Sequence, residues 1–71
     1  MKNVKITIVE ETKLTILGLV KTGWRPQGGC PPEDIQEFAR LLIQYNPDLD
    51  GCEFCYKMIF GSAELFARKK R

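Results

Sequence analysis

Hydrophobic and polar residues alternate along the first part of the chain, and a period of two is typical of β-strands. Apolar side chains on one side of such a strand would be Val4, Ile6, Ile8, Leu14 and Ile16. Pairing Ile8 with Leu14 leaves the polar residues 10–12 as a three-residue loop and keeps apolar side chains opposite each other. The pattern therefore predicts a β-hairpin over residues 3–20.

The middle of the chain changes from a loop-like to a helical pattern. Residues 21–31 are rich in glycine and proline, which predicts a long loop. Apolar residues then recur at helical spacing, at Ile35, Phe38, Ala39, Leu42 and Tyr45. Pro32 suits the first turn of a helix, and Pro47 disfavours helical geometry in the residue before it. We predict a helix over residues 32–45 and a turn over residues 46–51.

The C-terminal segment alternates again and contains the turn-forming pair Gly61-Ser62. A fold at this pair places Phe60 opposite Ala63 and Met58 opposite Leu65, and makes one face apolar. This predicts a hairpin over residues 52–69 and a basic tail over residues 68–71. The alternative is a basic C-terminal helix, since Ser62 can cap a helix and the residues after it favour one.

Together these elements predict one small α+β domain in the order ββαββ, with a single helix packed on one face of a four-stranded sheet. This is the order of elements in the β-grasp architecture. A helical C-terminus would give ββαβα instead. The chain has 71 residues, which is near the lower size limit for a hydrophobic core that folds without cross-links.

Charge is distributed in three blocks that the net charge of +2 conceals. Residues 1–29 carry five cations and two acids, residues 30–55 one cation and six acids, and residues 56–71 five cations and one acid. No apolar run is long enough to span a membrane, and the three cysteines do not suggest a secreted disulfide framework. We therefore expect a cytoplasmic protein that does not bind membranes.

Cysteine and histidine content argues against a metal centre or an active site. The candidate metal ligands are Cys30, Cys52 and Cys55, but residues three apart in a strand point to opposite faces, and structural zinc takes four ligands. The chain has no histidine, which is the commonest general base. We expect no metal, no cofactor and no catalytic residue, and a protein that acts by binding.

The predicted sheet leaves one face uncovered, with an apolar centre and a basic rim. A protein partner, or a second copy of the chain, would bind there through Leu17, Lys57, Ile59, Phe66 and Arg68. The alternative partner is nucleic acid, contacted through Lys5, Lys13, Trp24, Arg25, Lys69, Lys70 and Arg71. Trp24 has a second interpretation, in which its ring covers the open end of the core.

Overall fold

A computed structural model of the chain describes residues 9–69, and these form a four-stranded sheet with one main helix. The elements are β1 (Glu10–Glu11), α1 (Ile16–Lys21), β2 (Arg25–Cys30), α2 (Ile35–Tyr45), β3 (Glu53–Ile59) and β4 (Ser62–Arg68). Short 3₁₀ turns precede α2 at Pro32–Asp34 and follow it at Pro47–Leu49. The predicted α+β class is confirmed: two strands precede the main helix α2 in the chain and two follow it, with the short helix α1 between the first two strands.

The sheet is mixed, with the strand order β1-β3-β4-β2. β1 pairs with β3 in parallel, whereas β4 is antiparallel to both β3 and β2. β1, β2 and β3 consequently run in the same direction, so the chain must cross the sheet between them. The first crossing contains α1 and the second contains α2.

The main core lies between α2 and one side of the sheet, here called the α2 face. Its buried residues include Ile35 and Ala39 of the helix and Phe54, Ala63 and Leu65 of the strands. Leu65 is completely buried, and the full set also includes Val9 and Ala67. On β4, Ala63, Leu65 and Ala67 are two residues apart, and Phe54 of β3 lies opposite Ala67, so these side chains share one face.

The opposite side of the sheet, the α1 face, carries a smaller core. Leu19 of α1 is completely buried and packs with Cys55 of β3 and Phe66 of β4. Trp24, which follows α1, is partly buried against the same cluster. The sheet is therefore covered on both faces over part of its area.

A side chain of α2 holds β1 in place. Gln36 accepts a hydrogen bond from the Val9 backbone N–H through Oε1 at 3.1 Å, and its Nε2 donates to the Val9 carbonyl at 2.8 Å. The amide of Gln36 thus pairs with the backbone of Val9 as a neighbouring strand would. Strand β1 needs this support because it has only two residues.

The predicted hairpin over residues 3–20 is not formed as proposed. β1 pairs with β3, and residues 16–20, expected to lie in the second strand, belong to helix α1. Local capping favours the helix, because Thr15 Oγ1 accepts from the Gly18 N–H at 3.1 Å and the Thr22 hydroxyl donates to the Gly18 carbonyl at 2.8 Å. The first half of the predicted hairpin, residues 3–8, lies outside the described residues.

Residues 21–31, predicted as a loop, instead contain β2 at the edge of the sheet. An edge strand tolerates Pro26, since its missing N–H can face away from the neighbouring strand. The register with β4 shifts between Pro26 and Gly28, which makes Gln27 the extra residue of a β-bulge. Gly28 has a φ of 128°, and a Cβ there would lie 3.2 Å from the Phe38 ring, so glycine is required.

The C-terminal strands form a hairpin, which excludes the helical alternative for residues 62–68. Its register differs by two residues from the predicted one: Met58 pairs with Ala63, and Ile59 pairs with Ser62. The turn is Phe60-Gly61, with φ values of 50° and 83°, rather than Gly61-Ser62. A shift of two residues preserves the direction of every side chain, so the apolar face predicted for the hairpin remains together.

The predicted helix over residues 32–45 corresponds to the first 3₁₀ turn followed by α2, and the predicted turn over residues 46–51 contains the second 3₁₀ turn. Helix α2 has eleven residues. Between residues 9 and 69, no helix combines the length and the apolar character needed to cross a membrane.

Candidate interaction surface

Helix α1 and Leu14, which precedes the helix N-cap Thr15, display aliphatic side chains toward solvent. The exposed fractions are 42 % for Leu14, 43 % for Ile16, 64 % for Leu17 and 57 % for Val20. These four residues are called the α1 patch. Their combined exposed surface is on the order of a few hundred Å², which is comparable to the largest apolar patch of a typical monomer and often marks a binding site.

The α1 patch is presented by a helix that depends on its context. A helix of six residues is too short to be stable alone. It is held by the caps at Thr15 and Thr22, by the buried side chain of Leu19, and by a backbone bond from the Trp24 N–H to the Leu19 carbonyl at 2.9 Å. These contacts fix the patch in position and leave its outer side chains free.

Cations flank the α1 patch. Residues 12–25 contain Lys13, Lys21 and Arg25 but no Asp or Glu, and all three cations are exposed. Lys13 precedes the helix and Lys21 is its last residue. The surface therefore has an aliphatic centre with a cation at each end, which suits a partner with an apolar centre and acidic edges.

The residues predicted to bind a protein partner do not form one exposed surface in the structure. Leu17 belongs to the α1 patch, whereas Phe66 is only 2 % exposed beneath Leu19. The placement of Phe66 on an uncovered face was wrong, because α1 covers this part of the sheet. Lys57 and Ile59 are partly buried on β3, on the same face as Cys55.

Arg68, also predicted as a partner contact, is occupied within the fold. Its Nε donates to Glu53 Oε2 at 2.8 Å and its Nη1 donates to the Thr22 carbonyl at 3.0 Å. The guanidinium also lies over the Trp24 ring, 4.4 Å from the ring centroid. Arg68 thereby joins β4 to β3 and to the segment that follows α1.

These contacts also decide between the two interpretations of Trp24. One side of the ring is covered by Arg68, and the side chain packs against the cluster of Leu19, Cys55 and Phe66. Trp24 therefore covers the core, and its prediction as a stacking platform for a nucleic-acid base is corrected.

The remaining residues of the nucleic-acid set are separated. Lys5, Lys70 and Arg71 lie outside the described residues. Lys13 is exposed before α1, while Arg25 and Lys69 are exposed and line a cleft at one end of the sheet. Lys13 is not among the residues that line this cleft.

The three cysteines are not brought together. Cys30 and Cys52 contact the core of the α2 face, while Cys55 belongs to the cluster of the α1 face. Cys30 lies opposite Ala63 of β4, and Ala63 lies opposite Met58 of β3. Met58 and Cys52 are six residues apart in the chain, which corresponds to about 20 Å of extended backbone. Among residues 9–69, no group of three or more His, Cys, Asp or Glu is placed to hold a metal ion.

Burial changes the chemistry of two thiols. Burial raises the pKa of Cys55, and nearby Arg68 partly opposes this rise. Cys55 is only 8 % exposed because α1 lies above it. Burial likewise raises the pKa of Cys30, with a further rise from Asp34 and Glu33. Both thiols are consequently poor nucleophiles at neutral pH.

Sequence reasoning missed three members of the α1 patch: Leu14, Ile16 and Val20. The signal that was available is Thr15, since threonine can cap the start of a helix and it directly precedes the apolar residues 16–20. Comparison of the chain with protein-family models, with curated proteins and with solved structures finds no match.

Proposed function

We propose that this chain is a protein-binding module that docks its α1 patch against an apolar surface with acidic edges on a partner protein. The observation that carries the proposal is the exposure of four aliphatic side chains, three on a short capped helix and one just before it, between Lys13 and Lys21. The module acts by binding rather than by catalysis.

Charge favours a different protein over a second copy of this chain. In a two-fold pairing of α1 helices, Lys13 of one copy would approach Lys21 of the other, and in a parallel pairing identical lysines would meet. Either arrangement places like charges together at both ends of the contact, which opposes association. An acidic partner replaces this repulsion by attraction.

The composition of α1 favours a protein over a lipid surface. Helices that lie in a membrane interface have a strongly charged polar face, rich in lysine and arginine, opposite their apolar face. Helix α1 carries a single charged residue, Lys21. A small patch of this kind fits an apolar groove on a protein.

Photo-cross-linking from two positions tests the proposal. A photoreactive amino acid is placed at Leu17, within the α1 patch, or at Phe60, which is 102 % exposed at the turn between β3 and β4. We expect one acidic protein to be cross-linked from position 17 and not from position 60. That protein is then purified and its affinity for the chain is measured.

Matched variants identify the contact. Leu17→Glu is expected to weaken binding of the purified partner by at least about 10-fold, whereas Phe60→Glu leaves it unchanged. Lys13→Glu combined with Lys21→Glu is expected to slow association and to reduce its dependence on salt. Equal cross-linking from both positions, a product of twice the chain mass, or binding to anionic vesicles without any protein contact would each reject the proposal.

A further inference from the structure

A cleft lies at the end of the sheet where β2 begins and β4 ends, beside the Thr22-Gly23 segment that follows α1. Its volume is about 1000 Å³, which is within the range of small-ligand sites. The lining includes Arg25, Gln27, Asp48, Leu49, Cys52 and Lys69. None of these residues belongs to the α1 patch.

Two cations of this cleft have no acidic partner within residues 9–69. The salt bridges among residues 9–69 are Arg68 with Glu53 and Arg40 with Glu37. Glu53 and Arg68 also line the cleft but neutralise each other. The unpaired charges are therefore Arg25 and Lys69 against the single carboxylate of Asp48, so the free charge of the cleft is positive.

The strand register brings Arg25 and Lys69 together. Arg25 lies opposite Ala67 in the pairing of β2 with β4, and Lys69 is two residues beyond Ala67 along the chain. Diagonal neighbours of this kind are about 7–8 Å apart. Both long side chains can therefore reach one group bound between them.

The bulge in β2 adds a hydrogen-bonding group at the same place. Gln27 is the extra residue of the bulge, and its Nε2 donates to the Arg25 carbonyl at 3.2 Å. Bulges commonly redirect a side chain beside a binding site. Leu49, Cys52 and Ala67 supply less polar lining, which strengthens electrostatic attraction above it.

From these features we propose that the cleft binds a phosphate group between Arg25 and Lys69. Arginine and lysine are the usual cationic ligands of phosphate, and a fork of guanidinium N–H groups matches its oxygens. The phosphate belongs either to a small phosphorylated molecule or to a nucleic-acid backbone. The carboxylate of Asp48 opposes dense negative charge and favours a ligand with few phosphates.

Titrations followed by amide chemical shifts test this site. Inorganic phosphate, pyrophosphate and a twelve-nucleotide single-stranded thymidine oligomer are added separately at constant ionic strength. We expect saturable changes at the amides of Gly23, Arg25 and Lys69. Affinity that rises from phosphate to pyrophosphate but not to the oligomer identifies a small ligand, and a higher affinity for the oligomer identifies a nucleic-acid backbone.

Two double variants that remove the same charge distinguish phosphate binding at this site from general attraction of phosphate to cationic residues. Arg25→Gln combined with Lys69→Gln is expected to weaken phosphate binding by about 10-fold. Lys13→Gln combined with Arg40→Gln removes the same charge from exposed residues that do not line the cleft, and should leave phosphate binding unchanged. Equal effects of the two pairs, or no saturable change at the three amides, would overturn the proposal.

The proposal for the cleft and the proposal for the α1 patch are tested independently. Loss of phosphate binding does not affect the expected cross-link at position 17. Absence of that cross-link likewise has no bearing on phosphate binding, which is tested by the Arg25 and Lys69 variants. Urea unfolding of each double variant, followed by Trp24 fluorescence, verifies that the tested protein is folded.

Discussion

Replacing Phe66 by alanine is expected to remove the centre of the small core on the α1 face. The Phe66 ring is 2 % exposed and packs with Leu19, Cys55 and Trp24. Removing a buried phenylalanine ring costs about 3–5 kcal/mol, because the side chain loses its burial and the surroundings do not fully close the cavity. A domain of 71 residues has a free energy of unfolding of roughly 4–10 kcal/mol. The variant should therefore lose between about one third and all of its stability.

Urea unfolding measures this loss directly. Trp24 is the single tryptophan of the chain and belongs to the same cluster, so its fluorescence reports the packing around Phe66. Phe60→Ala is the matched control, since Phe60 is 102 % exposed in the same hairpin and should change stability by less than about 0.5 kcal/mol. The assignment of Phe66 to a buried core is refuted if Phe66→Ala costs no more than Phe60→Ala.

Three further changes test the bond to β1, the turn and the buried thiol. Gln36→Ala should lower the free energy of unfolding by about 1–2 kcal/mol and accelerate hydrogen exchange of the Val9 amide, because both bonds to Val9 are lost. Phe60→Asn should raise the free energy of unfolding by about 1 kcal/mol in urea, since asparagine adopts a positive φ more readily. Stability should fall as pH rises above 9.0, the ordinary thiol value, because burial raises the pKa of Cys55 and the folded state retains the proton. Unfolding curves of Cys55→Ala at several pH values should show a smaller fall.

Each of these changes has a control. Gln44→Ala alters an exposed glutamine on the same helix and should leave Val9 exchange unaffected; an equal acceleration would contradict the bond from Gln36. Phe60→Ala also removes the ring, but alanine does not share the preference of asparagine for a positive φ. An equal rise in the free energy of unfolding for Phe60→Ala would therefore show that the turn conformation is not the cause. The pH dependence of Cys52→Ala should resemble that of the unaltered chain, and loss of the dependence there instead would count against Cys55.

The C-terminal hairpin shows how far alternation can be used. Period two along residues 53–68 indicates which side chains share a face, and the structure has Met58, Ala63 and Leu65 on the same face. The same pattern cannot distinguish registers that differ by two residues, because such a shift keeps every side chain on its face. The turn decides between them, and its location at Phe60-Gly61 depends on two positive φ values.

The segment around α1 shows why alternation also failed. Leu14, Ile16 and the residues after them satisfy a strand pattern, but residues 16–21 form one short helix between Thr15 and Thr22. Residues 25–30 were predicted to be a loop because of their glycine and proline content, but they form an edge strand. In both places local propensity was ambiguous, and pairing with distant segments decided the conformation.

The sequence by itself determined the α+β class, the amphipathic main helix, the C-terminal alternation and the opposite directions of Cys52 and Cys55, because each depends on local periodicity. Only the tertiary structure decided that α1 covers Phe66, that Arg68 covers Trp24, and which apolar side chains remain exposed. These features arise from contacts between segments distant in sequence, such as the 3.0 Å bond from Arg68 to the Thr22 carbonyl. A periodic pattern describes the two sides of each element, but it does not state which side another element will cover.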